Sequence, residues 1–537
     1  MKKHLIACLL LTSSILAAQD SLNINLLGHL DYQPVGADVW GYTAPDGSEY
    51  AIMGLRDGIT IVDINQTPQL TEVLRIQGVP SVWRDIKTWA HYAYVTHDQT
   101  LIPQIMPAEG ITIIDLDSIE FGKVPEYWKT KTPIALPSGT VIDSVETSHN
   151  LYIDKNGIMY LFGSDFLSGG AIMYDLTIDP ENPQFVGMWM EEYLHDGMAR
   201  GDTLWGSAVW AGEFFVIDVS NKANPQTLAS FPTSSQFTHN CWISDDNKTL
   251  YTTDEVPRAY IDAYDVSDLS NITQVDRINS SLSSFAIPHN THFFDDYLVT
   301  SYYTSGLQIV DVHEPDIMVE VAYYDTHPQS ADSSFSGAWG AYPYFPSGKI
   351  AVSDMQAGLF IFSSDYPRAG YWRGTVVDGQ TMLPLPTAQI TETNGLFSGT
   401  ADINGRFKWG GLDSTIQVDV ALNGYNSTVQ NLAINPGITN TDTIFLMPLG
   451  FGISDEVQSR IRVFPNPSNG GQFHITGLEG DTRLLQVMDM QGREIQRFDV
   501  LGMADETDIL CSLSPGVYKL IFTDTEGRQS LRRLFVR

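Results

Sequence analysis

Runs of apolar, strand-forming residues recur along the first two-thirds of the chain, and polar breaks that carry Gly, Pro, Asn or Asp separate them. One phrase, a small residue followed by strand formers and usually an Asp, returns seven times between Tyr50 and Phe362: GITIVDI, GITIIDL, GAIMYDL, EFFVIDV, YIDAYDV, GLQIVDV and GLFIF. The clearest unit around it contains HNLYID, IMYLFGSD, AIMYDLTI and FVGMWM, four segments of strand length. A four-stranded unit that recurs at roughly 40 to 50 residues predicts a β-propeller.

Seven such units can be aligned, and we number the strands of each unit first to fourth in chain order. The first strands begin near Asp38, Trp83, His149, His195, His239, His289 and Trp339. The seventh unit ends at GLFIFSSD without a fourth strand, whereas INLLGHLDY, from Ile24 to Tyr32, resembles a fourth strand that lacks the other three. We predict that this segment completes the seventh unit, because closing the ring leaves no free sheet edge. The predicted fold is all-β, with a seven-bladed β-propeller over residues 19–365.

The repeated phrase also carries a family resemblance. GITIVDI, FFVIDVSN and LQIVDVHEP resemble LVIVD repeats, and their arrangement resembles the propeller region of the choice-of-anchor B family of secreted bacterial proteins. The family name implies that its members share the propeller and differ in how they are retained at the cell surface. The resemblance implies no biochemical activity.

Short alternating strands punctuated by DG, NG and GG follow the repeats and predict a small β-sandwich over residues 370–449. This segment is similar to the regulatory-like domains of carboxypeptidases. The similarity rests on the G-x-V-x-D strand at Gly374–Asp378 and the T-D-x-x-G-x-F pattern, which we place at Thr400–Phe407. It implies a stabilising or spacer module without peptidase activity.

The last segment, residues 458–537, resembles a type IX secretion C-terminal sorting domain, which is a further β-sandwich. The motifs VFPNPSNGGQFHI, LLQVMDMQGREI, LSPGVYKLIF and a basic LRRLFVR ending occur in the expected order. The resemblance implies that the type IX secretion machinery is a partner. It also implies a secreted protein that reaches the extracellular space or the outer-membrane surface after transit through the periplasm.

The start of the chain predicts a secretory signal peptide. Two lysines precede an apolar stretch from Leu5 to Leu16, and the small residues Ala17 and Ala18 mark the cleavage site of a signal peptide over residues 1–18. The alternative, a lipoprotein box ending at Cys8, would leave almost no apolar region before the cysteine. No later stretch approaches the ~18 unbroken apolar residues of a membrane helix, so we expect no transmembrane segment.

Charge excludes one class of partner. The chain contains 30 basic and 64 acidic residues, for a formal net charge of −34. Such a charge repels nucleic-acid backbones and anionic membrane surfaces, and it suits cations or neutral ligands. We therefore expect no nucleic-acid partner.

Polar residues mark matching positions of the repeat units. First strands begin with Arg84-Asp85, His149-Asn150, His195-Asp196, His239-Asn240 and His289-Asn290, and the counterparts in the first and seventh units are Trp40-Gly41 and Trp339-Gly340. Second strands run antiparallel and end on the same face with Asp57, His97-Asp98, Asp165, Trp210, Asp254-Glu255, Tyr302-Tyr303 and Asp354. One mouth of the propeller channel is therefore predicted to collect histidines, carboxylates and aromatic residues.

Three hypotheses account for this mouth. The first is structural: each His-Asn pair satisfies backbone groups where one unit passes to the next. The second is a divalent metal site, Zn²⁺ or Mn²⁺ on imidazoles or Ca²⁺ on oxygen ligands. Its candidate ligands are His149, His195, His239, His289 and Asp165.

The third hypothesis is catalysis on an extracellular polymer, by analogy with some seven-bladed polysaccharide lyases. Its candidate catalytic residues are Arg84, His239, His289 and Tyr302. Trp210, Trp339, Asp254 and Asp354 are the candidate ligand-binding residues, for a glycan or protein ligand. Because the analogy is at the level of fold alone, a binding or scaffold protein is favoured over an enzyme.

The Asp of the repeated phrase receives a structural interpretation. An Asp side chain at the end of a strand accepts hydrogen bonds from backbone amides of the following turn. We predict this capping role for Asp63, Asp115, Asp218, Asp265 and Asp311.

Overall fold

The structure is a computed structural model that describes residues 20–32, 35–98, 107–135, 138–329, 332–394, 398–412, 415–449, 461–478, 480–503 and 506–537. The predicted signal peptide, residues 1–18, lies outside these ranges. Within them the chain is all-β, and its one helix is the 3₁₀ turn Ile119–Phe121. No helix of the described chain is long and apolar enough to cross a membrane.

Seven antiparallel sheets follow one another in the repeat region, and we number them in chain order. Sheet 1 consists of Gly36–Thr43, Glu49–Leu55, Gly58–Asp63 and Thr71–Gln77; sheet 2 of Ile86–Trp89, Tyr92–Val95, Ile111–Asp115 and Glu126–Thr130; sheet 3 of Asn150–Ile153, Ile158–Phe162, Ala171–Asp175 and Gln184–Trp189. Sheet 4 consists of Asp196–Arg200, Thr203–Ala208, Glu213–Asp218 and Gln226–Pro232; sheet 5 of Thr238–Ile243, Thr249–Asp254, Ile261–Asp265 and Thr273–Ile278.

The last two sheets of this region take strands from the N-terminus. Sheet 6 consists of Thr291–Phe294, Tyr297–Ser301, Leu307–Asp311, Val319–Tyr324 and Ser21–Leu22; sheet 7 of Ala338–Tyr342, Lys349–Asp354, Gly358–Ser364 and Ile24–Leu30. A separate hairpin, Thr132–Ala135 with Val141–Val145, lies in the chain between sheets 2 and 3.

The repeated phrase forms the third strand of each sheet, and its side chains are almost entirely buried on both faces. In Gly58–Asp63, for example, every residue but the final Asp is buried, whereas the fourth strand Thr71–Gln77 is largely exposed or half-buried. Burial on both faces explains why the phrase reads as an apolar run and not as a strict alternation. The first strand of each sheet contacts the first strands of the preceding and following sheets, and that of sheet 7 contacts that of sheet 1.

The predicted pairing of the N-terminal segment is confirmed. Ile24–Leu30 lies antiparallel to Gly358–Ser364, with Ile24 opposite Ser364 and Leu30 opposite Leu359. The sequence pattern did not indicate the further pairing of Ser21–Leu22 with Val319–Tyr324. Two residues are too few to carry a recognisable strand signal.

The predicted capping role of the phrase aspartates is also confirmed. In each case one carboxylate oxygen accepts a hydrogen bond, 2.8–3.0 Å long, from the backbone N–H two residues further on. The donors are the amides of Asn65, Asp117, Ser220, Ser267 and His313. These bonds fix the turn between the third and fourth strands.

One of these aspartates does more than cap a turn. Asp311 is fully buried, and its carboxylate also accepts hydrogen bonds from the Ala369 amide at 2.8 Å and the Arg368 guanidinium at 3.2 Å. We expect Asp311→Ala to lower the free energy of unfolding by about 3 kcal/mol, because it leaves the buried Ala369 amide without a partner and removes one of the hydrogen bonds of the Arg368 guanidinium. Urea denaturation checks this. Asp218→Ala, at the same position of sheet 4 but without these partners, is the control, and an equal loss in both variants would contradict the argument.

The segment after the repeats is also built of strands. Gly370–Asp378 lies between Arg406–Gly411 and Thr439–Leu446 in one sheet, and a second sheet has the order Ser398–Thr400, Gln389–Glu392, Thr415–Ala421, Thr428–Ala433. The C-terminal sheet has the order Glu494–Asp499, Thr482–Met488, Gly516–Asp524, Gln529–Val536, Arg462–Asn469, Gln472–Thr476, Glu506–Leu510.

The described chain divides into two compact units. The first comprises the described residues up to Arg373 together with two later segments, Lys408–Ile416 and Asn431–Asp442. The second comprises Gly374–Phe407, Gln417–Gln430 and Thr443–Arg537. The segment predicted as one small sandwich, residues 370–449, is therefore shared between the two units, and its boundaries stay a prediction.

Candidate functional site

One small cavity collects residues from all seven sheets of the repeat region. Its lining comprises Asp38, Trp83, Arg84, Asp85, His149, Asn150, His195, His239, His289, Asn290 and Trp339. Its volume of about 20 Å³ is enough for a water molecule or a single ion and too small for a sugar ring. The structure thus brings the four predicted histidines together with Arg84 and Trp339.

The residue pair of sheet 1 that was predicted to correspond to the His-Asn pairs, Trp40-Gly41, is misplaced by three residues. Asp38, and not the predicted Gly41, lines the cavity, and an added Cβ on Gly340 would come 2.3 Å from an Asp38 carboxylate oxygen. The register between the first two strands shifts between Gly36 and Val39, and this irregularity hid the alignment. The Trp40 ring instead packs edge-on against Tyr342 and His292.

The four histidines form a continuous row along neighbouring sheets. Ring centroids lie 4.0 Å apart for His149 and His195, and 4.5 Å apart for each of the next two neighbours, His195 with His239 and His239 with His289. Burial, together with the neighbouring imidazoles, lowers the pKa of His239 and of His289 to about 3. The pKa of His195 falls well below its usual value for the same reasons. These three imidazoles are therefore neutral at pH 7, and each carries a nitrogen lone pair.

Carboxylates contact this row at both ends. An Asp98 oxygen lies 2.7 Å from Nδ1 of His149. Farther along, the Glu255 carboxylate lies 3.6 Å from Nε2 of His239 and 3.6 Å from Nε2 of His289. The Tyr303 hydroxyl donates a 2.6 Å hydrogen bond to Glu255, which holds that carboxylate in place.

In two of these contacts, the residue that reaches the histidines or their carboxylate partner is the one that follows a predicted residue in the chain: Glu255 follows Asp254, and Tyr303 follows Tyr302. Asp254, a predicted ligand-binding residue, accepts hydrogen bonds from the Thr233 hydroxyl and from the backbone amides of Ser235 and Phe237, in the loop that precedes the first strand of sheet 5. Tyr302, one of the candidate catalytic residues, is fully buried, and its hydroxyl donates to the Ala259 carbonyl at 3.1 Å. Because successive side chains at a strand end point to opposite faces, Glu255 and Tyr303 reach the histidines while Asp254 and Tyr302 do not.

Asp165 and Asp354 are two more predicted residues that do not line the cavity. Asp165 accepts hydrogen bonds from the backbone amides of Glu146 and Thr147. Asp354 is fully buried and accepts from the Gln356 and Ala357 amides and the Thr326 hydroxyl. Both carboxylates satisfy local backbone groups.

Arg84 lines the cavity but is tied to the scaffold. Its guanidinium donates to the backbone carbonyls of Leu55 and Val79, and burial lowers its pKa to about 10. It remains a cation at pH 7. It acts as a link between sheets 1 and 2, in the manner that the structural hypothesis expects.

The predicted tryptophans differ in accessibility. Trp339 is only 9% exposed, and its carbonyl accepts hydrogen bonds from His289 Nδ1–H and the Ser301 hydroxyl. Trp210 is 73% exposed, with its ring beside Tyr193 and Phe237. Trp210 can therefore meet an external ligand, whereas Trp339 is a packing residue.

A second polar row lies one residue further along the first strands. Lys87 forms an ion pair with Asp85 and lies 3.6 Å from Asp38. The Asn240 amide donates to Asp196 at 2.8 Å and its oxygen accepts from the Thr291 amide, which joins sheets 4, 5 and 6. Burial, reinforced by Asp85, raises the pKa of Asp196 to about 6 and that of Asp38 well above its usual value.

Comparison with known protein families identifies two regions of the chain. Residues 462–537 match the secretion system C-terminal sorting domain, and residues 208–233, in sheet 4, match the LVIVD repeat. The sorting domain indicates secretion to the cell surface or extracellular space, and interaction with the type IX secretion machinery. No curated protein matches the chain. The choice-of-anchor B, carboxypeptidase regulatory-like and signal-peptide assignments stay predictions.

Proposed function

We propose that this protein is a binding protein of the cell surface or extracellular space, exported by type IX secretion. Its seven sheets would be the blades of a β-propeller, and the histidine-lined mouth would be its binding face. The closed succession of contacts between first strands, from sheet 7 back to sheet 1, supports the propeller.

The observation that carries this proposal is that all seven sheets contribute residues to one cavity. Repeat units that need only mutual packing would not have to direct Arg, Asp, Asn and four His side chains to one end of the first strands. Trp83 lines this cavity and is 36% exposed, and Trp210, whose ring lies beside Tyr193 and Phe237, is 73% exposed. A polar centre with aromatic surroundings suits a neutral, polyhydroxylated ligand such as a glycan.

The alternative function, a lyase acting on uronate polymers, has less support. One of its candidate bases, Tyr302, is buried, and the hydroxyl of this residue already donates to the Ala259 carbonyl. Tyr303 is nearer to the histidines, but burial and the Glu255 carboxylate raise the pKa of its phenol well above the usual value. A phenol that is harder to ionise is a poor proton acceptor.

A binding assay with the purified full chain tests the proposed function. The panel would contain neutral and acidic extracellular polysaccharides, followed by calorimetry and by absorbance for unsaturated products. We expect the protein to bind a polysaccharide without forming unsaturated products. For Trp210→Ala we expect a dissociation constant roughly tenfold larger than that of the wild type. Phe121→Ala is the matched control, because Phe121 is 70% exposed, as Trp210 is 73% exposed, but lies in a loop between third and fourth strands. An equal effect in both variants, or no binding at all, would refute the proposal.

A further inference from the structure

Three side chains at the centre of the histidine row have donor atoms close enough to share one ion. One nitrogen of His195, one nitrogen of His239 and one oxygen of Glu255 all lie within 4.8 Å of one another. The three residues come from sheets 4 and 5 and their adjoining loops, so the fold and not a local sequence motif brings them together. Alignment of the repeat units indicated the two histidines, but no spacing pattern in the sequence selected Glu255 as their partner.

The hydrogen bonds around Glu255 leave two electron-rich atoms facing each other. His289 Nδ1 lies against the Trp339 carbonyl, which can only accept, so Nδ1 bears the proton and Nε2 bears the lone pair. That Nε2 lies 3.6 Å from the Glu255 carboxylate, which is also an acceptor. An acceptor opposite an acceptor in a buried site is unfavourable unless a cation lies near both.

The spacing agrees with what a tetrahedral zinc ion requires. Nitrogen and oxygen ligands about 2.0–2.2 Å from Zn²⁺ at tetrahedral angles lie roughly 3.3–3.6 Å apart. His239 Nε2 and Glu255 are 3.6 Å apart. The third donor, a nitrogen of His195, lies within 4.8 Å of both of them.

The surrounding contacts also resemble those that orient metal ligands. Ligating carboxylates and histidines are usually held by a hydrogen bond from a second group, often a backbone carbonyl for the histidine. Here the Tyr303 hydroxyl holds Glu255 at 2.6 Å. His289 makes the second kind of bond, from Nδ1 to the Trp339 carbonyl, whereas Nδ1 of His195 and Nδ1 of His239 are buried without a close hydrogen-bond partner.

We propose that His195, His239 and Glu255 bind one Zn²⁺ ion, with His289 Nε2 or a water in the cavity as the fourth ligand. Two imidazoles and one carboxylate are donors that zinc prefers, and the cation would balance the buried Glu255 charge. The inference deepens the proposed function, since it names the ion at the centre of the binding face. His149 is not part of the set, because Asp98 holds it at the end of the row.

The test uses the purified full chain and zinc alone. After dialysis against a chelator, calorimetric titration with Zn²⁺ and elemental analysis should give one ion per chain. We expect His239→Gln and Glu255→Gln to weaken binding at least 100-fold, and Tyr303→Phe to weaken it about tenfold through the lost orientation of Glu255. His97→Gln replaces a buried histidine outside the group, and its affinity should equal that of the wild type.

Two further results keep the test decisive. Co²⁺ in place of Zn²⁺ should give the visible absorption of a tetrahedral site, a signal that a change in stability alone would not produce. Tyr303→Phe keeps the ring and is expected to fold even if the other variants do not. Absence of stoichiometric zinc in the wild type, or an equal loss in His97→Gln, overturns the inference. Zinc binding without any polysaccharide ligand would instead refute only the proposed function, and ligand binding by a protein that takes up no zinc would refute only the zinc site.

Discussion

Acidification from pH 7 to about 4.5 is expected to destabilise the repeat region of the metal-free protein. Burial lowers the pKa of His97 to about 4 and that of His292 to about 3, and three histidines of the row are shifted in the same direction. Below the ordinary histidine pKa of about 6.5 the unfolded chain gains protons that the folded chain does not bind. Each such group therefore removes about 1.4 kcal/mol from the free energy of unfolding for every pH unit below about 6.5, until its folded-state pKa is reached.

Several carboxylates act in the opposite direction. Asp196 and Asp262, each with a pKa of about 6, take up protons in the folded state before the unfolded chain does, and the raised pKa values of Asp38 and Asp254 act in the same direction. They stabilise the fold as the pH falls from about 6 towards 4. These carboxylates offset part of what the five histidines remove, so the net loss of stability per pH unit is smaller than the sum over the histidines.

Urea denaturation in the presence of a chelator, at pH values from 7.5 to 4.5, measures this dependence. His292→Gln isolates one contribution, because His292 lies among Trp40, Trp242 and Tyr344, with Lys87 as the nearest charge acting on it. The slope of unfolding free energy against pH should fall by about 1.4 kcal/mol per pH unit. A protein that becomes more stable between pH 6.5 and 4.5 would contradict the prediction.

Removal of Leu22 to Tyr32 is expected to destabilise the whole repeat region and not only its seventh sheet. The deletion strips the partner from Gly358–Ser364 and removes the buried side chains of Ile24 and Tyr32. Tyr32 also reaches sheet 1, where its hydroxyl lies 3.2 Å from that of Thr60 and the Arg75 guanidinium lies over its ring. From the apolar area and hydrogen bonds lost, we expect the free energy of unfolding to drop by at least about 5 kcal/mol.

Two point variants separate the contribution of buried side chains to the free energy of unfolding from that of the strand backbone. Ile24 is 6% exposed and Leu26 is 43% exposed in the same strand. Ile24→Ala should lower the free energy of unfolding by about 3 kcal/mol, whereas Leu26→Ala should change it by less than about 0.5 kcal/mol. Urea transitions followed by tryptophan fluorescence give all three values. An unchanged midpoint after the deletion would show that the pairing does not hold the sheets together.

The strands were predictable because burial on both faces leaves a continuous apolar run. The third strands of all seven sheets carry such a run, and the Asp that ends most of them caps a turn through a purely local bond. The pairing of Ile24–Leu30 was predictable from a missing partner at the other end of the repeats. The register of sheet 1 was not, because an irregularity between Gly36 and Val39 leaves no mark in the spacing of apolar residues.

The site was predictable in its location but not in its membership. The four histidines stand at the same position of successive first strands, so alignment alone brought them together. Whether Asp254 or Glu255 faces the histidines depends on which side of the strand end each residue occupies. The two alternatives differ by one residue in register, and the sequence pattern is compatible with either. The same holds for Tyr302 and Tyr303, and only the backbone path decides between them.

The pairing of Ile24 with Ser364 also determines when the fold can be completed during synthesis. The strand that is made first must remain without its partner until more than three hundred further residues have been made, since Gly358–Ser364 lies at the far end of the repeats. Contacts between such distant parts of a chain form slowly, because the intervening segment must first be ordered. A chain cut short before the seventh sheet would therefore leave Ile24–Leu30 without its partner strand, so this pairing distinguishes complete molecules from truncated ones.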